Sequence, residues 1–250
     1  MTDLVIVSDD GPIRTVRMNR PDKKNALTVP MYDAMAAAIE SAAHAADLRC
    51  IVIAGAPGAF CAGNDLQDFL HAVAHAEGLS APLLSFLYVL ARNEKPLVAA
   101  VSGLAVGIGT TMLLHCDHVV AGTDALFSTP FVHLGLVPEA ASSLLAPQRL
   151  GHARAFSLLA MGRPLDAAEA QACGIVNTVV APAEVDAEAK KAALQIASLP
   201  AQALAATRRL LRGPPADVIA RIDQEAELFK AQLGSPEARA AFEAFLGRRK

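Results

Sequence analysis

Residues 97–114 form a run of eighteen without a single charge, which is the lower limit of length for a membrane-spanning helix. Ser102 and three glycines, Gly103, Gly107 and Gly109, interrupt it. The part before them (LVAAV) has the character of a strand and the part after (TTMLL) that of a helix. The run therefore reads as buried strand, loop and buried helix, and no membrane association is expected. A second short apolar strand, CIVIAGA (50–56), precedes it, with helical sequence between the two. Strand, helical excursion and strand make a crossover unit, for which parallel pairing is expected. The 250 residues are 53% hydrophobic and 19% charged. That excludes a disordered chain and suffices to bury a sizeable core.

The remaining elements fit the same plan. LVIVSDDGPIRTVRMN is two β-runs around Asp10-Gly11, a hairpin signal. After the polar loop NRPDKKNAL, Thr28 suits the cap of a helix from Val29 to about His44, with Pro30 tolerated in its first turn. The glycine-punctuated PGAFCAGND leads to helices over about 66–76 and 81–92. VGIGTTMLLHCD is a glycine loop opening a helix, and HVVAGTDALFS holds two short strands. Helix dominates from about Leu144. Asp166 and Glu169 have capping-box spacing for a helix ending near Gly174, and IVNTVV is a late strand. Three helices are expected from Pro182 onward, broken around Leu199-Pro200, Gly213-Pro215 and Gly234-Pro236. The fold class is α/β, with a strand-rich core over 1–181 and a helical region over 182–250.

Several function classes fall away. A net charge of −3 and a pI near 6.2 offer no basic field for nucleic acid. Trp is absent and aromatics are 4%, so base-stacking platforms are not expected either. Cys50, Cys61, Cys116 and Cys173 show no CxxC or CxxH pairing, and MTDLVIVSDDG lacks the basic and apolar segments of a signal peptide. Both point to a reducing, cytoplasmic setting. His115, Cys116 and Asp117 are consecutive, so they cannot all face one ion, and no metal site is expected.

Two glycine loops, FCAGND (60–65) and SGLAVGIG (102–109), are placed to present backbone N–H groups to an anion or a developing oxyanion. The second spells neither a dinucleotide nor a Walker fingerprint, and a tight turn explains it equally well. The stretch TPFVHLGLVPEAASS (129–143) holds one carboxylate, Glu139. By itself Glu139 is either an acid in the first turn of a helix starting near Ala140 or a buried working group. His133 reads as a core histidine, and Cys61 lacks a signalled histidine partner. Asp65 either steadies its loop or touches a ligand.

NRPDKKNAL (19–27), GAFCAGNDL (58–66), SGLAVGIG (102–109), CD (116–117) and MGRPLDAAEAQACGIVNTVV (161–180) follow the order and spacing of the crotonase, or enoyl-CoA hydratase/isomerase, superfamily, which the chain resembles over nearly its whole length. The resemblance implies a crotonase-like fold of repeated ββα units with a helical C-terminal part. It implies a coenzyme A thioester as substrate, so that coenzyme A is part of the substrate and no separate cofactor is expected. It implies a homotrimer or a dimer of trimers, the helical tail covering the site or a neighbour. The N–H groups that hold the thioester carbonyl fall on Asn64 and Ile108. Lys24, Ala26, Ala62, Gly63, Asp65, Leu66, Gly107 and Phe131 fall on the substrate- and CoA-binding positions, and Arg248, Arg249 and Lys250 are further candidates for its phosphates.

The resemblance also discriminates between branches. The two glutamates of hydratases fall on Thr111 and Phe131, neither of which serves as acid or base. PFVHLGLVPEAASS resembles the stretch in which the Δ3,Δ2-enoyl-CoA isomerase branch carries a single catalytic glutamate, which falls on Glu139. One carboxylate is enough to take a proton from C2 and return it at C4. An enoyl-CoA isomerase of fatty acid metabolism is thus expected, with a hydratase or a non-catalytic acyl-CoA-binding module as alternatives.

Overall fold

The computed structural model describes residues 4–65, 68 and 78–247, with side chains to residue 244. The helix expected over 66–76 lies outside the described residues. The opening hairpin pairs β1 (Val5–Asp10) antiparallel with β2 (Ile13–Met18). Helix α1 (Val29–His44) follows, then β3 (Cys50–Gly55), α2 (Ala81–Arg92), β4 (Leu97–Val101), β5 (Leu104–Val106) and the short α3 (Ile108–Thr111). Next come β6 (His118–Gly122), β7 (Leu126–Ser128), α4 (Ser142–Leu150), α5 (His152–Leu159), β8 (Leu165–Asp166), α6 (Ala167–Ala172) and β9 (Thr178–Val180). The ββα order recurs at β1-β2-α1, β4-β5-α3 and β6-β7-α4.

The main sheet has the order β1-β2-β3-β4-β6-β9, and every pair after the hairpin is parallel. The central strands β3, β4 and β6 read as near-continuous apolar runs because both their faces are covered, whereas β1 is largely exposed. Alternation along them divides the side chains cleanly. Val16, Met18, Ile51, Ile53, Ala99 and Val101 face the large core under α1 and α2. Ile13, Cys50, Val52, Ala54, Val98, Ala100 and Val120 face Val185, Ala189, Ala193 and Ala197, one stripe of helix α7 (Val185–Ala197). Small residues every fourth position let that helix lie close on the strands. A smaller sheet, β5-β7-β8, stands beside the main one. Among the described residues no helix is long and apolar enough to cross a membrane, and the uncharged run 97–114 divides into β4, β5 and α3.

Some local expectations need correction. Thr28 precedes α1, but its hydroxyl makes no capping bond and is buried without a partner. The Asp68 carboxylate accepts instead from the Val29 N–H at 3.1 Å. Among the described residues four α-helices rather than three follow β9: α7, α8 (Ala201–Arg212), α9 (Pro215–Leu233) and α10 (Pro236–Gly247). The three proposed breaks all exist, and three breaks delimit four segments. Asp117, of the CD pair, ties the layers together: its carboxylate accepts from the Leu97 N–H and from Arg208 of α8, both at 2.8 Å.

Candidate active site

Two glycine loops leave the C-terminal ends of neighbouring parallel strands, β3 and β4. They meet backbone to backbone. The Cys61 N–H donates to the Leu104 carbonyl and the Val106 N–H to the Cys61 carbonyl, both at 2.9 Å. A Cβ on Gly109 would lie 2.6 Å from the Cys61 oxygen, so glycine there is a condition of the contact. Gly63 is less crowded, a Cβ there lying 3.1 Å from the Val106 oxygen, and its φ of +91° is what calls for glycine. On the other side, Leu27 N–H donates to the Gly63 carbonyl and Asp65 N–H to the Leu27 carbonyl, both at 2.8 Å. Amides alternate along an extended segment, so the Asn64 N–H points away from Leu27. Ile108 opens α3, and a first-turn N–H has no acceptor within its helix. Among the described residues no backbone carbonyl accepts from the N–H of Asn64 or of Ile108.

The polar loop 19–27 braces the first glycine loop. Lys24 and Asn25 are both left-handed, at φ 50° and 55°. Asn25 is fully buried; its side chain accepts from the Arg20 N–H at 2.8 Å and donates to the carbonyls of Ala56 (3.1 Å) and Ala59 (2.7 Å). Asp65 is ion-paired with Arg20 at 2.6 Å, which supports the loop-steadying reading of that carboxylate. Neither Asn25 nor Arg20 stands out in sequence, although asparagine is the residue that best tolerates a left-handed turn after glycine. Lys24 is exposed, Ala26, Ala62 and Gly107 are half-buried, and Gly63 and Phe131 are buried. Leu66 and residues 248–250 lie outside the described residues.

Glu139 is 1% exposed. Its Oε1 accepts from the Thr111 hydroxyl at 2.5 Å, and its Oε2 is buried without a partner among the described residues. Burial pushes the carboxyl from an ordinary 4.5 up to about 8; the charge of Glu225 adds to this and the Thr111 hydrogen bond opposes it. The first-turn reading is overturned. Ala140 and Ala141 are left-handed (φ 62° and 52°), and the helix begins only at Ser142. His115 Nε2 lies 2.8 Å from the Ala140 carbonyl. Burial lowers that imidazole to about 4, so it is neutral and Nε2 carries the donated hydrogen. His133, expected in the core, is exposed.

The three candidates converge. Thr111, which holds Glu139, lies one turn after Ile108 on α3. Tyr32, buried on α1, donates its hydroxyl to the Asn64 side-chain oxygen. The charge of Glu139 helps to raise both Tyr32 and Cys61, with burial the larger cause in each. Cys61 is pushed up to about 12 and stays a neutral thiol. The arrangement brings together two amides on packed loops and one desolvated carboxyl group able to exchange a proton near neutral pH.

A fold of this topology with such a site belongs to a known class of enzymes. The profile described as Enoyl-CoA hydratase/isomerase matches residues 9–250. A probable enoyl-CoA hydratase of Rhizobium meliloti is 32% identical over 99% of this chain and 96% of its own length. Enoyl-CoA delta isomerase 2 of Rattus norvegicus is 35% identical over 88% of this chain, which spans 57% of that longer protein. The crystal structure of an enoyl-CoA hydratase/isomerase from Pseudoalteromonas atlantica superposes with a TM-score of 0.93 at 39% identity, covering 99% of this chain and 98% of the other. The chain belongs to the enoyl-CoA hydratase/isomerase family, whose members act on acyl-CoA thioesters.

Proposed function

We propose that this chain shifts the double bond of a 3-enoyl-CoA to the 2-position, with Glu139 as the proton shuttle and the Asn64 and Ile108 N–H groups holding the thioester oxygen. One observation carries the reading: Glu139 is a buried carboxyl group, while the two positions that match hydratase glutamates hold Thr111 and Phe131. Removing a proton from C2 places negative charge on the thioester oxygen, and each preorganised donor lowers the barrier by about 2.7–4 kcal/mol. Glu139, ionised, takes the C2 proton; the protonated acid then returns it at C4. A proton shift is redox-neutral, so this reaction draws on no cofactor. Lys24 and the loops around it are proposed to meet the coenzyme A portion. A trimer or a dimer of trimers is proposed, as the resemblance implies, and sedimentation tests it; Leu210 and Leu211 of α8, 86% and 83% exposed, are apolar surface that a subunit contact would bury.

The relatives include both hydratases and delta isomerases, so the decisive assay runs both reactions side by side. Wild-type protein is expected to isomerise 3-enoyl-CoA and to hydrate crotonyl-CoA weakly. Glu139→Gln is expected to lower isomerisation at least about a hundredfold. Efficient hydration, or near-wild-type kcat in Glu139→Gln, refutes the proposal.

A further inference from the structure

A second buried carboxylate stands behind the first. Glu225, on α9, is 4% exposed. Its Oε1 accepts from the Ser143 N–H at 2.9 Å, at the start of α4, and its Oε2 is buried without a partner among the described residues. One turn earlier on α9, Arg221 donates to the Ser143 hydroxyl at 3.2 Å. These contacts grip the far end of the segment that begins at Glu139 and passes through the two left-handed alanines. His115 grips its middle through the Ala140 carbonyl. The turn that aims Glu139 is thus held by the core on one side and by a C-terminal helix on the other.

We propose that Glu225 is a positioning residue for the reaction, fixing the Glu139–Ser143 turn against α9 and lending its charge to the surroundings of Glu139. The inference rests on the function proposed above. Among the described residues, the titratable groups whose charges couple to Glu139 are Tyr32 from α1, Cys61 from the first glycine loop and Glu225 from α9. Tyr32 and Cys61 are both raised, Cys61 to about 12, and His115 beneath the turn is neutral. Burial raises Glu225 too, and its contacts with Ser143 oppose that shift. The charge of Glu225 acts to raise Glu139.

Glu225→Gln tests this, because the amide oxygen keeps an acceptor for the Ser143 N–H while the charge is lost, an NH2 replacing the Oε2 that makes no hydrogen bond among the described residues. A negative neighbour raises the pKa of an acid, so its loss lowers that pKa. The acid limb of kcat/KM is expected to move to lower pH by about half a unit to one unit, with KM unchanged because Glu225 does not touch substrate. Glu225→Ala also frees the turn and is expected to lower kcat roughly tenfold or more. An acid limb of Glu225→Gln that superimposes on wild type overturns the proposal. Should Glu225→Gln fail to fold, carbon-13 NMR of the glutamate carboxyls in wild type decides. Two coupled steps are expected; independent titrations overturn it. Near-wild-type kcat in Glu139→Gln, by contrast, sinks the proposed function itself.

Discussion

Replacing Glu139 with glutamine exposes, as a function of pH, the free energy that folding spends on burying this acid. Its folded pKa lies above its unfolded one, about 8 against 4.5. Below the unfolded value both states are protonated and the favourable contribution is complete. Between the two values the unfolded chain has released the proton while the folded chain retains it, so stability falls as pH rises, by about 1.4 kcal/mol per pH unit. Across the window from 4.5 to about 8 the loss is on the order of 5 kcal/mol. Glutamine does not titrate, and its amide oxygen remains available to the Thr111 hydroxyl. Any packing penalty of the substitution is a constant offset, and groups not coupled to Glu139 cancel in the difference. Urea unfolding of both proteins, at one fixed protein concentration, is measured at about pH 5, 6.5 and 8. The advantage of the variant over wild type is expected to widen steadily with pH. Stability curves that run parallel over that range refute the reasoning, because Glu139 would then not be an acid held protonated by burial.

Thr111→Val keeps the shape of the side chain and deletes the donor to Glu139; since that bond favours the carboxylate, the acid limb of kcat/KM is expected to move to higher pH, opposite to Glu225→Gln. An unchanged profile shows that the hydroxyl does not act on Glu139. Asn25→Ala leaves the Arg20 amide and the carbonyls of Ala56 and Ala59 without their partner, and denaturant unfolding is expected to show a loss of roughly 2–4 kcal/mol. Ile108→Pro removes one candidate oxyanion donor and is expected to raise the barrier by at least about 2.7–4 kcal/mol, read from kcat/KM with circular dichroism confirming the fold. Asn64→Ala keeps its N–H and costs only the contact with Tyr32, so its loss of activity is expected to be much smaller; equal losses contradict a main-chain role.

What was legible in sequence follows from what local chemistry determines. Uninterrupted apolar strands announce a sheet covered on both faces, and the breaks near Pro200, Gly213 and Gly234 mark helix ends because glycine and proline act locally. The capping box of Asp166 and Glu169 forms as spaced. The capping bond expected at Thr28 does not form because the Val29 N–H finds a carboxylate 39 residues downstream, a tertiary choice. The site divides in the same way. Glycine spacing points to the loops, yet only the fold shows that Gly109 and Gly63 are needed where one backbone crosses another. The left-handed turn at Ala140 and Ala141 has no signal, since alanine is ordinarily a helix former. The burial of Glu139, its bond to Thr111 and the grip of Glu225 depend on residues 28 and 86 positions away, beyond the reach of any local pattern.

The most direct test of the proposed mechanism is a crystal structure with a bound, slowly reacting acyl-CoA. The account predicts that the Asn64 and Ile108 nitrogens both lie about 2.7–3.1 Å from a single thioester oxygen, with the Glu139 carboxyl within reach of both C2 and C4 of the acyl chain. A thioester oxygen held by other groups, or Glu139 turned away from the acyl chain with the ligand in place, contradicts it.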